Sequence, residues 1–320
     1  MMKERAQQLL ILLFIICCSI YGCAQLTPKE RYKHSKFHKA DILYQQREYE
    51  KALDALLKLQ EENEDPFHIH YNLGKIYTKL HKYDDAETEY KKALLINKNI
   101  APLYKDMGDL FREQGLYKKA LVEYKKALQL DTKYLAARVC IAEIYQLKKH
   151  YDLAVKAYKQ ALNISDDKVN IYITLGQIYD IIGKGEEAIF SYKKALAIDP
   201  HNPVIYNNLG IALRREGRFA EAIQTLTKIL ELTPEDYIAY NNLGIAYQDR
   251  GEYDAALDCY TKARDINPEA IDIFLNLGIL YDIYLKDKKE ALKNYSKYIE
   301  LKGARSDEAG QWIKALQDTQ

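Results

Sequence analysis

One glycine-containing stretch of this 320-residue chain has the spacing of a phosphate-binding loop. Residues 183–188 read Gly-Lys-Gly-Glu-Glu-Ala, which fits the G-x-G-x-x-A pattern of a dinucleotide site. Such a loop must follow a strand and open a helix whose N-terminus holds the pyrophosphate. Residues 172–182 instead carry apolar side chains at helical spacing. We therefore interpret the stretch as a turn between two helices.

Two histidines could hold a metal ion, since His34 and His38 would share one face of a helix. No third ligand is evident beside them, and we interpret them as surface residues. No Ser–His–Asp, Cys–His or clustered-carboxylate arrangement stands out, and no stretch is left over for a catalytic domain. The sequence predicts a chain without catalytic residues, metal or cofactor, with an enzyme as a remote alternative.

A 34-residue repeat organises the chain instead. Residues 206–234 and 240–268 read YNNLGIALRREGRFAEAIQTLTKILELTP and YNNLGIAYQDRGEYDAALDCYTKARDINP. The second copy has one helical face from Tyr240, an interruption at Gly251, and then a second helical face. An alanine recurs in the second helix, at Ala52, Ala86, Ala120, Ala154, Ala188, Ala222 and Ala256. Each unit is thus predicted to be a helix pair that buries its apolar face by stacking on its neighbours.

These columns resemble the tetratricopeptide repeat. Besides the alanines, the resemblance rests on Leu73-Gly74, Leu175-Gly176, Leu209-Gly210, Leu243-Gly244 and Leu277-Gly278. Aromatic residues recur at Tyr83, Tyr117, Tyr151, Phe219 and Tyr253. The family usually opens with Trp, where this chain has Tyr104, Tyr172, Tyr206, Tyr240 and Phe274. The resemblance implies an all-α, right-handed superhelical solenoid of about eight helix-turn-helix units.

The repeat columns and the N-terminal pattern described next together predict the domain boundaries. We expect a signal peptide over residues 1–22, a lipidated Cys and tether over 23–32, the array over 33–304, and a capping helix over 305–320. The units lie near residues 33–66, 67–100, 101–134, 135–168, 169–202, 203–236, 237–270 and 271–304. In the eighth unit one residue is inserted near residues 285–289, and we interpret it as a longer turn. The single Trp, Trp312, is expected to pack against the last repeat.

The N-terminal residues differ in kind from the array. Lys3 and Arg5 precede an apolar run of about twelve residues, which is typical of a signal peptide. The run leads to Ile20-Tyr21-Gly22-Cys23, which resembles the bacterial lipobox and implies a lipid on Cys23. This predicts anchoring in the cell envelope, at the periplasmic face of the outer membrane if the cell is Gram-negative. Secretion without a lipid and a single N-terminal signal anchor are the alternatives.

The net charge bears on the choice of binding partners, and the positions of the cysteines bear on disulfide formation. The net charge of +1 gives no electrostatic case for nucleic acid. We interpret the lysines that recur in the second helices as a solvated face; they are Lys92, Lys126, Lys194, Lys228, Lys262 and Lys297. Cys140 and Cys259 lie in distant repeats, so no intramolecular disulfide is expected.

One column could bind a ligand: Asn208, Asn242 and Asn276 precede the Leu-Gly pair in three successive repeats. In this family the first helices line the concave face. A similar asparagine ladder in the repeats of the O-linked N-acetylglucosamine transferase binds peptide backbone. Apolar contact to a peptide would come from Ile211, Ile245, Ile279 and Leu275. Alternatively, these asparagines stabilise the repeat itself by bonding a neighbouring backbone.

The resemblance implies a non-catalytic protein–protein interaction scaffold of the bacterial cell envelope. Its partners would be envelope proteins or peptides held in the concave groove, with the membrane reached through the lipid. The alternative is an accessory subunit of an envelope enzyme or of a polysaccharide or pilus secretion system. The Lys, Asn and Arg set with which other family members hold chaperone tails is not found in register.

Overall fold

A computed structural model of the chain describes residues 28–62 and 64–318, with side chains from Phe37 onward. Every regular element in these residues is helical. In chain order they are α1 (Pro28–Gln45), α2 (Tyr49–Glu61), α3 (Pro66–Lys79), α4 (Tyr83–Ile96), α5 (Ala101–Glu113), α6 (Tyr117–Leu130), α7 (Leu135–Leu147), α8 (Tyr151–Leu162), α9 (Val169–Ile181), α10 (Gly185–Ile198), α11 (Pro203–Arg215), α12 (Phe219–Leu232), α13 (Tyr237–Arg250), α14 (Tyr253–Ile266), α15 (Ile271–Ile279), a π-helical segment (Leu280–Leu285), α16 (Lys288–Glu300) and α17 (Ser306–Asp318).

Consecutive helices pack as pairs, for example α3 with α4, α5 with α6 and α13 with α14. A small residue in the first helix faces a large one in the second. A Cβ added to the repeat glycine would lie 2.4–2.6 Å from Tyr90, Tyr124, Tyr192, Leu226, Tyr260 or Tyr295, in the pairs that carry that glycine. All seven alanines of the predicted column are fully buried. The prediction of an all-α fold of stacked helix pairs is confirmed.

Each pair turns at a residue with positive φ, two positions before the second helix begins. Four of these residues are glycines, with φ from 71° to 87°, namely Gly115, Gly183, Gly217 and Gly251. The other four have φ from 57° to 62° and are Arg47, His81, Lys149 and Lys286. Gly183 follows α9 and precedes α10, so the glycine-containing stretch is a turn between helices and has no strand in front of it.

The interpretation of the inserted residue in the eighth unit as a longer turn is wrong. Lys286 takes the positive φ two residues before α16, so the turn has the same length as in the other pairs. The extra residue instead widens the end of the first helix into the π-helical segment Leu280–Leu285. This keeps Gly278 against Tyr295, where an added Cβ would lie 2.4 Å from the ring. Packing on both sides therefore fixes the turn, and the helix absorbs the insertion.

The described residues form two compact units, with the boundary between Ile144 and Tyr145, inside α7. In the second unit, α17 covers the last helix pair. Ala309 is fully buried against it, and the ring of Trp312 lies 5.3 Å from that of Tyr295. The expectation that Trp312 packs against the last repeat is confirmed.

No helix among the described residues combines the length and the hydropathy that crossing a bilayer requires. The predicted signal peptide and Cys23 lie outside the described residues, so the lipid anchor stays a prediction.

Candidate functional site

The predicted asparagine column lies on the first helices α11, α13 and α15 of the second unit. Two of its members donate a hydrogen bond to the preceding repeat. Asn242 Nδ2 donates to Asn207 Oδ1 over 2.6 Å, and Asn276 Nδ2 donates to Asn241 Oδ1 over 2.9 Å. These bonds join side chains, whereas the sequence suggested a bond to backbone. Each pair therefore ties one first helix to the next.

Asn208 differs from the other two. Its Nδ2 is buried and has no hydrogen-bond partner among the described residues. The residue one repeat back from Asn207 is Ile173, which has no acceptor to offer. The ladder therefore has two bonded rungs and begins with an unsatisfied amide.

Aliphatic side chains flank the amides. Ile211, Ile245 and Ile279 are half-buried, and so is Leu275, which packs partly against Phe274 and Tyr298. Further toward the N-terminal end of α11 and α13, Val204 is 57% exposed and Ile238 is 48% exposed. Val204, Asn207 and Ile211 are spaced i, i+3, i+7, as are Ile238, Asn241 and Ile245. We call these six residues, with Asn242, Leu275, Asn276 and Ile279, the amide stripe.

Sequence reasoning missed four members of the amide stripe: Val204, Asn207, Ile238 and Asn241. The signal was present, because Asn207 and Asn241 recur at the 34-residue offset and share a helical face with the isoleucines. Asn207 and Asn241 accept hydrogen bonds from the following repeat, and the spacing of residues within one helix cannot predict such a contact.

The first unit places charges at the positions that the isoleucines occupy in the second. Lys105 Nζ lies 2.7 Å from Asp109 and 3.4 Å from Asp106. Burial lowers the pKa of Lys105, but the bond and the charge of Asp109 outweigh it, so that pKa is raised. Tyr71 Oη donates to Asp106 over 2.6 Å, and burial and this carboxylate raise the tyrosine's pKa. The two units therefore present different chemistry on their first helices.

Several lysines and histidines outside the amide stripe pair with acids. Four lysines of the recurring column pair with acids on their own helix, as Lys92 does with Glu89 over 2.7 Å and Lys126 with Glu123 over 2.9 Å. His68 and His70 point to different partners, Asp65 and Glu89. His34 has no described side chain. In the part of the chain that is described, no group of three or more His, Cys, Asp or Glu could hold a metal ion.

The two cysteines among the described residues are free thiols. Cys140 is buried and Cys259 is half-buried. Burial raises the pKa of each thiol to about 11, and at Cys140 the nearby Asp109 carboxylate adds to the rise.

Comparison with solved structures shows the same fold. A tetratricopeptide repeat protein from Parabacteroides merdae ATCC 43184 is 17% identical, with a TM-score of 0.53 over 79% of this chain and 99% of that chain. The C-terminal part of a TPR repeat-containing protein from Cytophaga hutchinsonii is 18% identical, with a TM-score of 0.51 over 86% of this chain and 99% of that one. YrrB, described as a TPR protein with an unusual peptide-binding site, is 24% identical, with a TM-score of 0.51 over 58% of this chain and 96% of its own.

Comparison of the sequence gives the family. No curated protein matches the chain. A family model described as tetratricopeptide repeat matches residues 65–133, 203–269 and 235–303. A TPR repeat model matches residues 181–215, and a second tetratricopeptide repeat model matches 137–168. Because the first of these models alone matches more than half of the residues, the chain belongs to the tetratricopeptide repeat family.

Proposed function

We propose that this chain is a non-catalytic protein-interaction scaffold of the bacterial cell envelope. It binds an extended segment of a partner protein along the amide stripe and is held at the membrane by a lipid on Cys23. The tetratricopeptide fold itself is of the kind that serves protein–protein interaction.

The observation that carries the proposal is the combination of exposed aliphatic side chains with uncommitted amide groups. In the Asn207–Asn242 pair, one donor and one acceptor meet each other. Asn207 Nδ2 and Asn242 Oδ1 have no hydrogen-bond partner within the described residues. A peptide group both donates and accepts, so such an amide pair can satisfy it in both directions. Val204 and Ile238, each about half exposed, then supply apolar contact at the same face.

The spacing of the rungs suits an extended chain. α11 contacts α13, and packed helices lie roughly 8–10 Å apart. An extended peptide advances about 3.3 Å per residue, so each repeat corresponds to roughly three residues of the partner. Contacts to backbone at this interval impose little sequence constraint, while the aliphatic positions favour apolar side chains. The peptide-binding site named for YrrB, a protein of the same fold, supports this kind of occupant.

Site-specific photo-crosslinking tests the proposal. A photoreactive amino acid at Ile245 should give one discrete adduct in cells, because the partner lies within reach of that side chain. The matched control is Gln224, an exposed residue of α12 outside the stripe. Val204→Asp should abolish the adduct formed from position 245, because a carboxylate desolvated against apolar groups is costly. Adducts of equal yield from positions 245 and 224 would refute binding along the stripe.

The anchor is tested separately. Mass spectrometry of the membrane fraction should find residues 1–22 removed and a lipid on the new N-terminal Cys23. Cys23→Ser should leave the protein soluble or unprocessed, since stable attachment by lipid needs more than one acyl chain and a serine cannot carry them through sulfur. A wild-type protein that is found in the membrane fraction with residues 1–22 still attached and with no lipid on Cys23 would favour a signal anchor instead.

A further inference from the structure

The outward side of α6, a second helix of the first unit, carries a stripe of exposed side chains. Lys118, Val122 and Lys125 are spaced i, i+4, i+7, and all three are exposed. The opposite side of α6 packs into the protein through buried residues that include Ala120 and Tyr124. The stripe therefore points away from the protein.

The first turn of α6 has an unfavourable charge for a helix N-terminus. This end is the positive end of the helix dipole, so acids there are stabilising and lysines are not. Of the eight second helices that the structure describes, seven have an acid in the first turn and α6 has none. It has Lys118 and Lys119 there instead. The residues of α4, α8 and α10 that are equivalent to Lys118 are all acidic, namely Asp84, Asp152 and Glu186.

The protein itself compensates these lysines little. The single acid of α6, Glu123, is buried and is bonded to Lys126 over 2.9 Å. Lys118, Lys119 and Lys125 make no ion pair with any described residue, the acids of the neighbouring α4 included. The outward side of α6 is therefore positively charged, and the charge that would balance it must come from a partner.

Aliphatic side chains lie among the lysines. Val122, between the two lysines of the stripe, is 51% exposed, and Leu95 of α4 is 88% exposed. Leu95 lies seven residues after Thr88, the residue equivalent to Val122, so it faces outward on the neighbouring second helix. Lysines beside exposed aliphatic side chains suit a bilayer surface, which has anionic head groups above an apolar interior. We define the basic face by its five members: Leu95, Lys118, Lys119, Val122 and Lys125.

We propose that the basic face lies against an anionic lipid bilayer, with its three lysines at the lipid phosphates and its two aliphatic side chains at the border of the acyl region. The choice of a membrane over a soluble polyanion rests on the proposed function, which holds the chain at a membrane. The contact itself requires neither the lipid on Cys23 nor a peptide on the amide stripe.

Vesicle binding tests the proposal. The chain from residue 24 onward is used, because it retains every described residue and lacks both the predicted signal peptide and Cys23. Sedimentation compares vesicles of phosphatidylcholine with vesicles of an equal mixture of phosphatidylcholine and phosphatidylglycerol. The mixed vesicles should bind about tenfold or more tightly at low salt, because an anionic surface attracts each nearby lysine. This preference should decrease as salt is added.

Charge variants assign the preference to the basic face. The triple variant Lys118→Gln, Lys119→Gln, Lys125→Gln should lose it. This variant should melt no lower than the wild type, because it removes two lysines from the first turn of a helix. The matched control changes three exposed lysines of α8 and α10 to Gln, namely Lys156, Lys159 and Lys193.

The control variant loses the same charge and should keep the preference. The two sets also match in that each includes a lysine over an aromatic ring, Lys119 over Phe111 at 5.3 Å and Lys159 over Tyr179 at 5.7 Å. Equal binding of the wild type to the two kinds of vesicle, or equal losses in the two triple variants, would overturn the inference.

Apolar variants distinguish a bilayer from a soluble acidic macromolecule. The double variant Leu95→Gln, Val122→Gln should bind the mixed vesicles about threefold or more weakly, because it loses apolar contact. It should bind poly-glutamate as the wild type does. A double variant with undiminished affinity for vesicles, together with wild-type binding to poly-glutamate as tight as to vesicles of equal charge, would refute the membrane as the partner. Because the tested chain lacks Cys23, these results do not depend on whether the proposed lipid anchor is correct.

Discussion

Gly244 of α13 lies directly against the ring of Tyr260 of α14, so that an added Cβ would be 2.5 Å from Tyr260 Cε1. Tyr260 is only 1% exposed and has no room to withdraw. The contact of a glycine with a tyrosine sets how closely the two helices of the pair approach. The same contact recurs between Gly74 and Tyr90 in the first unit, so it is found in both units.

The first prediction follows from this contact. Gly244→Ala should lower the free energy of unfolding by about 1–3 kcal/mol through overpacking, although alanine is the better helix former. Gly310→Ala is the matched control, since a Cβ there meets nothing within 4 Å inside α17. That variant should be about 0.5–1 kcal/mol more stable than the wild type. Urea unfolding measures both, and a Gly244→Ala variant as stable as Gly310→Ala would refute the packing.

Most of the fold could be predicted from sequence because the residues that form each contact recur at the same position in successive repeats. The alanine column and the leucine of each Leu-Gly pair are buried as their spacing indicates. The π-helical segment could not be predicted. The sequence shows that a residue is inserted, but it does not show whether the helix or the turn changes its conformation to accommodate it. The turn before α16 keeps the geometry of the other turns, and the segment after α15 becomes π-helical instead.

The second prediction concerns the turn before α8. Lys149 has φ 58°, where a side chain is strained and glycine is not. Lys149→Gly should therefore stabilise the protein by about 0.5–1 kcal/mol after the entropy of the unfolded glycine is subtracted. Lys149→Ala keeps the Cβ and loses the rest of the side chain, so it should be nearly neutral. If both variants unfold at the same urea concentration, the strain at this turn is negligible.

The third prediction separates the three asparagines by stability. Asn242→Ala and Asn276→Ala each remove a hydrogen bond between repeats and should cost about 0.5–1.5 kcal/mol. Asn208→Ala removes a buried amide without a partner and should cost less or even stabilise. Thermal unfolding of the three single variants gives the comparison. Equal losses of stability at all three positions would show that the hydrogen bonds of Asn242 and Asn276 do not contribute to stability.

The triple alanine variant then reports on function. If the stripe binds a partner, the triple variant should form much less of the adduct from position 245. The decrease should exceed the one expected from its loss of stability alone. A large drop in melting temperature with the adduct retained would leave the asparagines as structural residues only.

The fourth prediction concerns the thiols. Burial raises the pKa of Cys259 to about 11 from an ordinary value of 9.0, so at pH 8 the thiolate population is about a hundredfold smaller than usual. Alkylation by iodoacetamide should be correspondingly slow and should rise about tenfold per pH unit up to pH 10. Mass spectrometry of the peptide containing Cys259 follows the rate, with urea-unfolded protein as the control. A plateau near pH 9 in the folded protein would contradict the raised pKa.

The candidate sites were harder to predict than the fold, for a physical reason. Asn208, Asn242 and Asn276 form a visible column, but their partners Asn207 and Asn241 matter only because adjacent repeats bring them within hydrogen-bond distance.

Calorimetric titration tests the central claim most directly. The titrant is the partner segment that crosslinks at position 245, and the full chain is compared with Val204→Asp, Ile238→Asp and Gln224→Asp. Carboxylates on the amide stripe should weaken binding tenfold or more, because they must be desolvated beside apolar side chains. Gln224→Asp should bind as tightly as the wild type, and all variants should keep the wild-type melting temperature. Undiminished affinity of Val204→Asp and Ile238→Asp would show that the partner does not lie along the stripe.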